Sequence, residues 1–221
     1  MPDRRQFLGT LAAASAASLV APSLVSASAP PLVGQAQQKW DLTWLDAVKA
    51  KAHKQVFDIG TLETGPVSPL HFPHFWLNAH NEVYAGSTDA KLGAIVGIAG
   101  NGFPINFKDS IWAKYPLGEQ WKVTDPETKA PSKRNTFANP KETGLAANWT
   151  VQKLQSRGVI FWMCNNALQL VSGMMADATK QKADVVYAEF KAGLLPGVKL
   201  VPSHTMMLTA SQEHGCTYQR V

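Results

Sequence analysis

Cys164 directly follows the apolar run Val159-Ile160-Phe161-Trp162-Met163 and precedes Asn165-Asn166-Ala167-Leu168, which sets a thiol at a strand end and a helix start. Unpaired amides and the positive end of the helix macrodipole favour the thiolate there, and the thiolate is the nucleophilic form. A cysteine in the same place is equally well a small buried hydrophobe. His204 follows Val201-Pro202-Ser203 at another strand end near the same rim. A histidine so placed titrates near neutral pH and is a candidate base for Cys164, or simply a surface residue. Cys164 and His204 are therefore the candidate catalytic residues.

Five further residues stand where a ligand would be met. Asp58 closes the run Gln55-Val56-Phe57-Asp58-Ile59 and either orients a neighbour or caps a loop. Asn101 and Gly102 belong to Gly100-Asn101-Gly102, after a second apolar run. Backbone amides in such a turn can cradle an anion, but the segment lacks the P-loop lysine and the GxGxxG pattern, so it reads as a tight turn. Asn165 begins the helix after Cys164, and Ser203 suits an N-cap. His71, His74 and His80 invite a metal reading. Pro73 interrupts the helix that would align the first pair, and metal sites need three or four convergent ligands. An aromatic, histidine-rich interface with Phe72, Phe75 and Trp76 is the better expectation, and neither a metal nor another cofactor is expected. Cys216, just before the last strand, reads as structural. Whether it pairs with Cys164 is open, because the pairing depends on a separation the sequence does not give.

The elements that must position these residues alternate. A helix is expected within Trp40 to Lys54, a strand over Gln55 to Ile59, a helix over Phe72 to Tyr84 and a buried strand over Lys91 to Ala99. A helix over Ile105 to Tyr115 leads into a polar stretch, 116–143, with four prolines. Connections of that length are functional or mobile excursions, so 118–143 is expected as an exposed loop. Then follow a helix over Trp149 to Arg157, the strand Val159 to Met163, helices over Asn165 to Lys180 and Ala183 to Ala192, a short strand Val198 to Val201, a helix Thr205 to His214 and a last strand Thr217 to Val221. Apolar strands alternating with helices imply an α/β fold with a parallel, five-stranded, flavodoxin-like sheet flanked by helices. In such sheets the binding crevice lies beyond the carboxyl ends of the strands, where Cys164, His204, Asp58 and Asn101 all stand.

The first residues carry a different message. Arg4-Arg5 precede Phe7-Leu8 and a charge-free apolar run with small residues after it. That pattern reads as a twin-arginine export signal, which makes the periplasm the expected location. Residues 1–27 are the expected signal peptide, with cleavage after Ala27 and Ala36 as the latest candidate. Residues 28–38 read as a linker, and 39–221 as one domain. Ser15, Ser18, Pro22 and Ser23 break the apolar run, which suits a leader better than a membrane span. Losing Asp3, Arg4 and Arg5 lowers the net charge from +5 to +4. The excess is mild and scattered, so nucleic acid is not an expected partner.

The runs GVIFWMCNNAL (158–168) and LLPGVKLVPSHTMMLTASQEHGCTYQRV (194–221) resemble the DsrE/DsrF-like family, whose habitual ending is PGV-x-VVP-SG-hydrophobic-Q-x-x-G-x-x-Y. The likeness covers roughly 56–221 and is strongest in the C-terminal third. It implies a YchN-like, DsrEFH-like three-layer sandwich assembled as a homotrimer or homohexamer. In sulfur-relay members a cysteine after the third strand carries a persulfide, and Cys164 matches that position. The resemblance implies a persulfide carrier or sulfurtransferase with a sulfur donor or acceptor protein as partner. The alternative is a non-catalytic oligomeric binding module for a small molecule or protein.

Overall fold

The computed structural model describes residues 40–138 and 145–221. The expected leader, its cleavage points and the 28–38 linker lie outside the described residues.

Among the described residues five runs form strands: β1 (His53–Asp58), β2 (Leu92–Ile98), β3 (Ile160–Cys164), β4 (Lys199–Val201) and β5 (Thr217–Arg220). All pair in parallel, in the order β4-β3-β2-β1-β5. Strand β2 is buried at every position, as the centre of a parallel sheet covered on both faces must be. β5 is an edge and mostly exposed, which its polar composition allows.

The helices are α1 (Trp44–Lys49), α2 (His71–Val83), α3 (Asp109–Lys114), α4 (Leu117–Gln120), α5 (Val151–Ser156), α6 (Asn165–Thr179), α7 (Ala183–Ala192) and α8 (His204–Glu213). They divide unequally between the faces. Phe57, Val96, Ile98, Phe161 and Met163 pack with residues of α2, α3 and α5 to α7 in one large core. Their neighbours along the strands, Val56, Ile95, Trp162 and Val201, point the other way and meet Trp44, Leu45 and Val48 of α1 and Met207 of α8. The period-2 alternation of strand side chains thus gives the expected α/β three-layer sandwich, with a thick cover on one face and a thin one on the other.

Three expectations change. Pro73 does not interrupt α2: it stands in the first turn, where its missing N–H has no helical acceptor to lose. The helix expected from Ile105 divides into a 3-10 turn, Gly100–Asn106, and α3, with Phe107 extended between them. The stretch expected as an exposed loop over 118–143 is packed into the molecule over its described part. Val123, Phe137 and Ala138 join the large core, and Asp125, Ser132, Asn135 and Thr136 are buried.

Candidate functional site

Adjacent strands β3 and β4 send their following helices to opposite faces, α6 onto the thick side and α8 onto the thin side. A parallel sheet opens a crevice where that divergence occurs, beyond the carboxyl ends of the two strands. Cys164 is paired in register with Val201 at this point. It is the N-cap of α6, and its Sγ accepts a hydrogen bond from the Ala167 amide at 3.4 Å. The same sulfur accepts the His204 amide, the first of α8, at 3.3 Å. Two helix N-termini therefore meet on one sulfur, and both would stabilise negative charge there. Cys164 is 5 % exposed.

His204 reaches Cys164 through its backbone amide. Its ring turns toward a row of residues laid across the sheet. In register, Arg220 of β5 stands beside Asp58 of β1, Asp58 beside Gly97 of β2, and Gly97 beside Trp162 of β3. Gly97 leaves the gap in that row. A Cβ added to it would lie 2.5 Å from the Trp162 ring and 3.2 Å from the His204 ring. His204 fills this space, with its ring edge-on to Trp162 at 5.8 Å. The Trp162 indole N–H donates to Nδ1 at 3.2 Å, and Nε2 meets Asp58 Oδ1 at 2.9 Å. An indole nitrogen only donates, so Nδ1 is the acceptor and the ring proton sits on Nε2, facing the carboxylate.

Asp58 is 4 % exposed and thoroughly engaged. Its Oδ2 accepts the Tyr218 hydroxyl at 2.8 Å and Arg220 Nη1 at 3.2 Å. The bond to the carboxylate is the main reason the Tyr218 phenol is held above its ordinary range. Buried carboxylates persist when both oxygens are met in this way.

Ser203 stands at the N-cap of α8, but its hydroxyl pairs with that of Thr205 at 3.0 Å and bonds no amide of the helix. Asn165 is buried and accepts the Tyr187 hydroxyl at 2.7 Å, tying α6 to α7. Asn101 and Gly102 lie apart from the sulfur. Asn101 donates to the Gly60 carbonyl at 3.2 Å and lines an open cleft of about 620 Å³ with Leu62, Gly100, Gln120, Trp121, Lys122 and Val171. Gly102 is buried beneath it, where a Cβ would meet Ile59 at 2.8 Å.

Of the histidines of α2, His71 packs against Phe72, Phe75 and Trp149 with its Nδ1 buried and without a hydrogen-bond partner, and the other two are held by hydrogen bonds. His74 contacts Arg157 at 3.2 Å and Asn78 at 3.1 Å, and burial, then the Arg157 charge, pushes its pKa down. His80 bonds the Trp76 carbonyl at 2.9 Å. Phe72 and Phe75 are exposed beside them, whereas Trp76 packs edge-on to Phe57 against the large core. Among the described residues no group of three or more His, Cys, Asp or Glu side chains is arranged to hold a metal ion. Both cysteines are free. Cys216 lies at the amino end of the sheet, one residue before Thr217 pairs with Gln55, while Cys164 lies at the carboxyl end. That separation answers the pairing question.

Sequence reasoning did not find Trp162, Tyr218, Arg220 and Gly97. One signal was present: an indole inside the apolar run VIFWM carries an N–H that needs an acceptor.

No family model matches the chain, and no curated protein matches it. Among solved structures, the chain is similar to the protein of unknown function MTH1491 from Methanobacterium thermoautotrophicum. The identity is 18 % and the TM-score 0.40, over 76 % of this chain and 99 % of that one. Among the described residues no helix is long and apolar enough to cross a membrane.

Proposed function

We propose that this chain is a DsrE/DsrF-like sulfur carrier, exported to the periplasm by the twin-arginine route as a homotrimer or homohexamer, in which Cys164 accepts and passes sulfane sulfur. The observation that carries the reading is the pair of helix N-terminal amides, from Ala167 and His204, on one sulfur. They are suited to hold the charge of a thiolate before transfer and of a persulfide after it. In the transfer, the Cys164 thiolate attacks the outer sulfur of a hydropersulfide, R–S–SH. The new S–S bond forms as the old one breaks, the electron pair leaves on R–S⁻, and the proton stays on the transferred sulfur. No external oxidant or reductant enters, and the reverse step delivers the sulfur to an acceptor thiolate.

The test is intact mass after incubation with polysulfide. We expect a gain of about 32 Da per sulfur, removed by mild reduction and absent in Cys164→Ser. An equal gain in both proteins, or none in the wild type, overturns the reading. A non-catalytic binding module is then favoured, supported by the open cleft beside Asn101 and Trp121 on the opposite face. That module predicts small-molecule or protein binding that survives Cys164→Ser and is lost on substitution of Trp121.

A further inference from the structure

We infer that His204 is a positioning residue for Cys164, acting through its own backbone. The ring is held from two sides, by the Trp162 indole N–H at 3.2 Å and by Asp58 Oδ1 at 2.9 Å, and it fills the gap that Gly97 leaves in the sheet. The same residue's amide donates to Cys164 Sγ at 3.3 Å. The side chain thus anchors the first residue of α8 to the sheet, and the amide it fixes is one of the two that meet the sulfur. Without the ring, that amide would keep its place only through the pairing of Val201 with Cys164 and the packing of Met207, both more distant, and the Ala167 amide of α6 would remain as the other donor.

The inference extends the proposed sulfur chemistry in treating Cys164 as the reacting group, but it concerns only the state of the thiol. The titratable and charged groups in the network are His204 on α8, Asp58 on β1, and Tyr218 and Arg220 on β5. Because Nδ1 accepts from Trp162, the ring carries one proton and no charge, so removing it removes a tether and leaves the charge balance unchanged.

The experiment is the pH dependence of Cys164 alkylation by iodoacetamide in the full chain, for the wild type, His204→Phe, His204→Ala and Tyr218→Phe. The pH of half-maximal rate reads the thiolate. It is separate from the plateau rate, which reads access. We expect both His204 variants to raise the midpoint by about one pH unit, the scale on which a lost donor to a thiolate acts. Tyr218→Phe removes a bond to the other oxygen of the same carboxylate and leaves the midpoint where it was. Near-UV circular dichroism confirms folding, and if the His204 variants do not fold, Trp162→Phe carries the same expectation. A wild-type midpoint in a folded His204 or Trp162 variant overturns the inference, as does an equal rise in Tyr218→Phe. A shifted midpoint in a protein that takes up no polysulfide sulfur would sink the carrier reading and leave the positioning role standing.

Discussion

At the residue scale the two cysteines differ in surroundings more than in burial. Cys164 has two amides on its sulfur, whereas Cys216 sits among Val56, Ile95 and Met207 in the thin core, where burial pushes its thiol up from 9.0 to about 11. A thiol so raised is almost wholly protonated at neutral pH, so Cys216 should resist alkylation in the native protein. The sign of its effect on stability follows from linkage. The unfolded chain loses this proton first, so the contribution is fully present below about pH 9 and is lost as pH rises toward 11. The melting temperature should therefore fall between those limits, less steeply in Cys216→Ala than in the wild type. Parallel curves for the two proteins would show that Cys216 does not contribute.

At the scale of elements, the segment between α4 and α5 shows how polar residues can build packed structure. Asn135 is fully buried, and its side-chain amide and backbone N–H are all used. Its Nδ2 donates to the Ile105 and Phe107 carbonyls at 2.8 and 2.6 Å, Oδ1 accepts the Phe137 and Ala138 amides at 2.9 and 3.0 Å, and its own amide donates to Asp109. Upstream, Asp125 accepts the Glu127 and Thr128 amides and pairs with Arg134 at 2.6 Å, which holds its carboxyl below the ordinary range. Asn135→Ala should lower the unfolding free energy by about 2–4 kcal/mol, since it leaves several buried backbone groups unmet. Urea denaturation measures the loss, and one below about 0.5 kcal/mol would show that the segment is held elsewhere. This segment was illegible in the sequence for a physical reason. Its order comes from an asparagine bonding backbone across 28 and 30 residues, and composition and periodicity report only local preference. The strands and most helices were legible because burial imposes periods of two and 3.6 on the residues that form them. The site was half legible. Strand ends with Cys164, Asp58 and His204 could be read along the chain, but the row Arg220, Asp58, Gly97, Trp162 exists only across four strands and depends on their register.

At the scale of the whole molecule, the unequal faces bear on how a nearly closed thiol meets a donor. The thick side buries several helices against the sheet. The thin side relies on short α1 and on α8, which buries only Met207 and Ser211. The Ser211 hydroxyl is buried with no hydrogen-bond partner, a cost of about 1–3 kcal/mol charged to the helix whose first amide meets Cys164 Sγ. Proteins open locally where apolar burial is least and unmet polar groups are most, so α8 should open at a lower free energy than β1, β2 and β3. Hydrogen exchange resolved by mass spectrometry should show α8 amides exchanging well before those strands under native conditions. Two substitutions move that opening in opposite directions. Ser211→Ala removes the unmet hydroxyl and should slow both α8 exchange and the plateau rate of Cys164 alkylation. Met207→Ala removes the principal apolar anchor and should speed both, at a stability cost of about 2–5 kcal/mol. If alkylation keeps the same rate while α8 exchange moves, the reagent reaches Sγ without α8, and the way in lies between the ends of β3 and β4 with the cover closed.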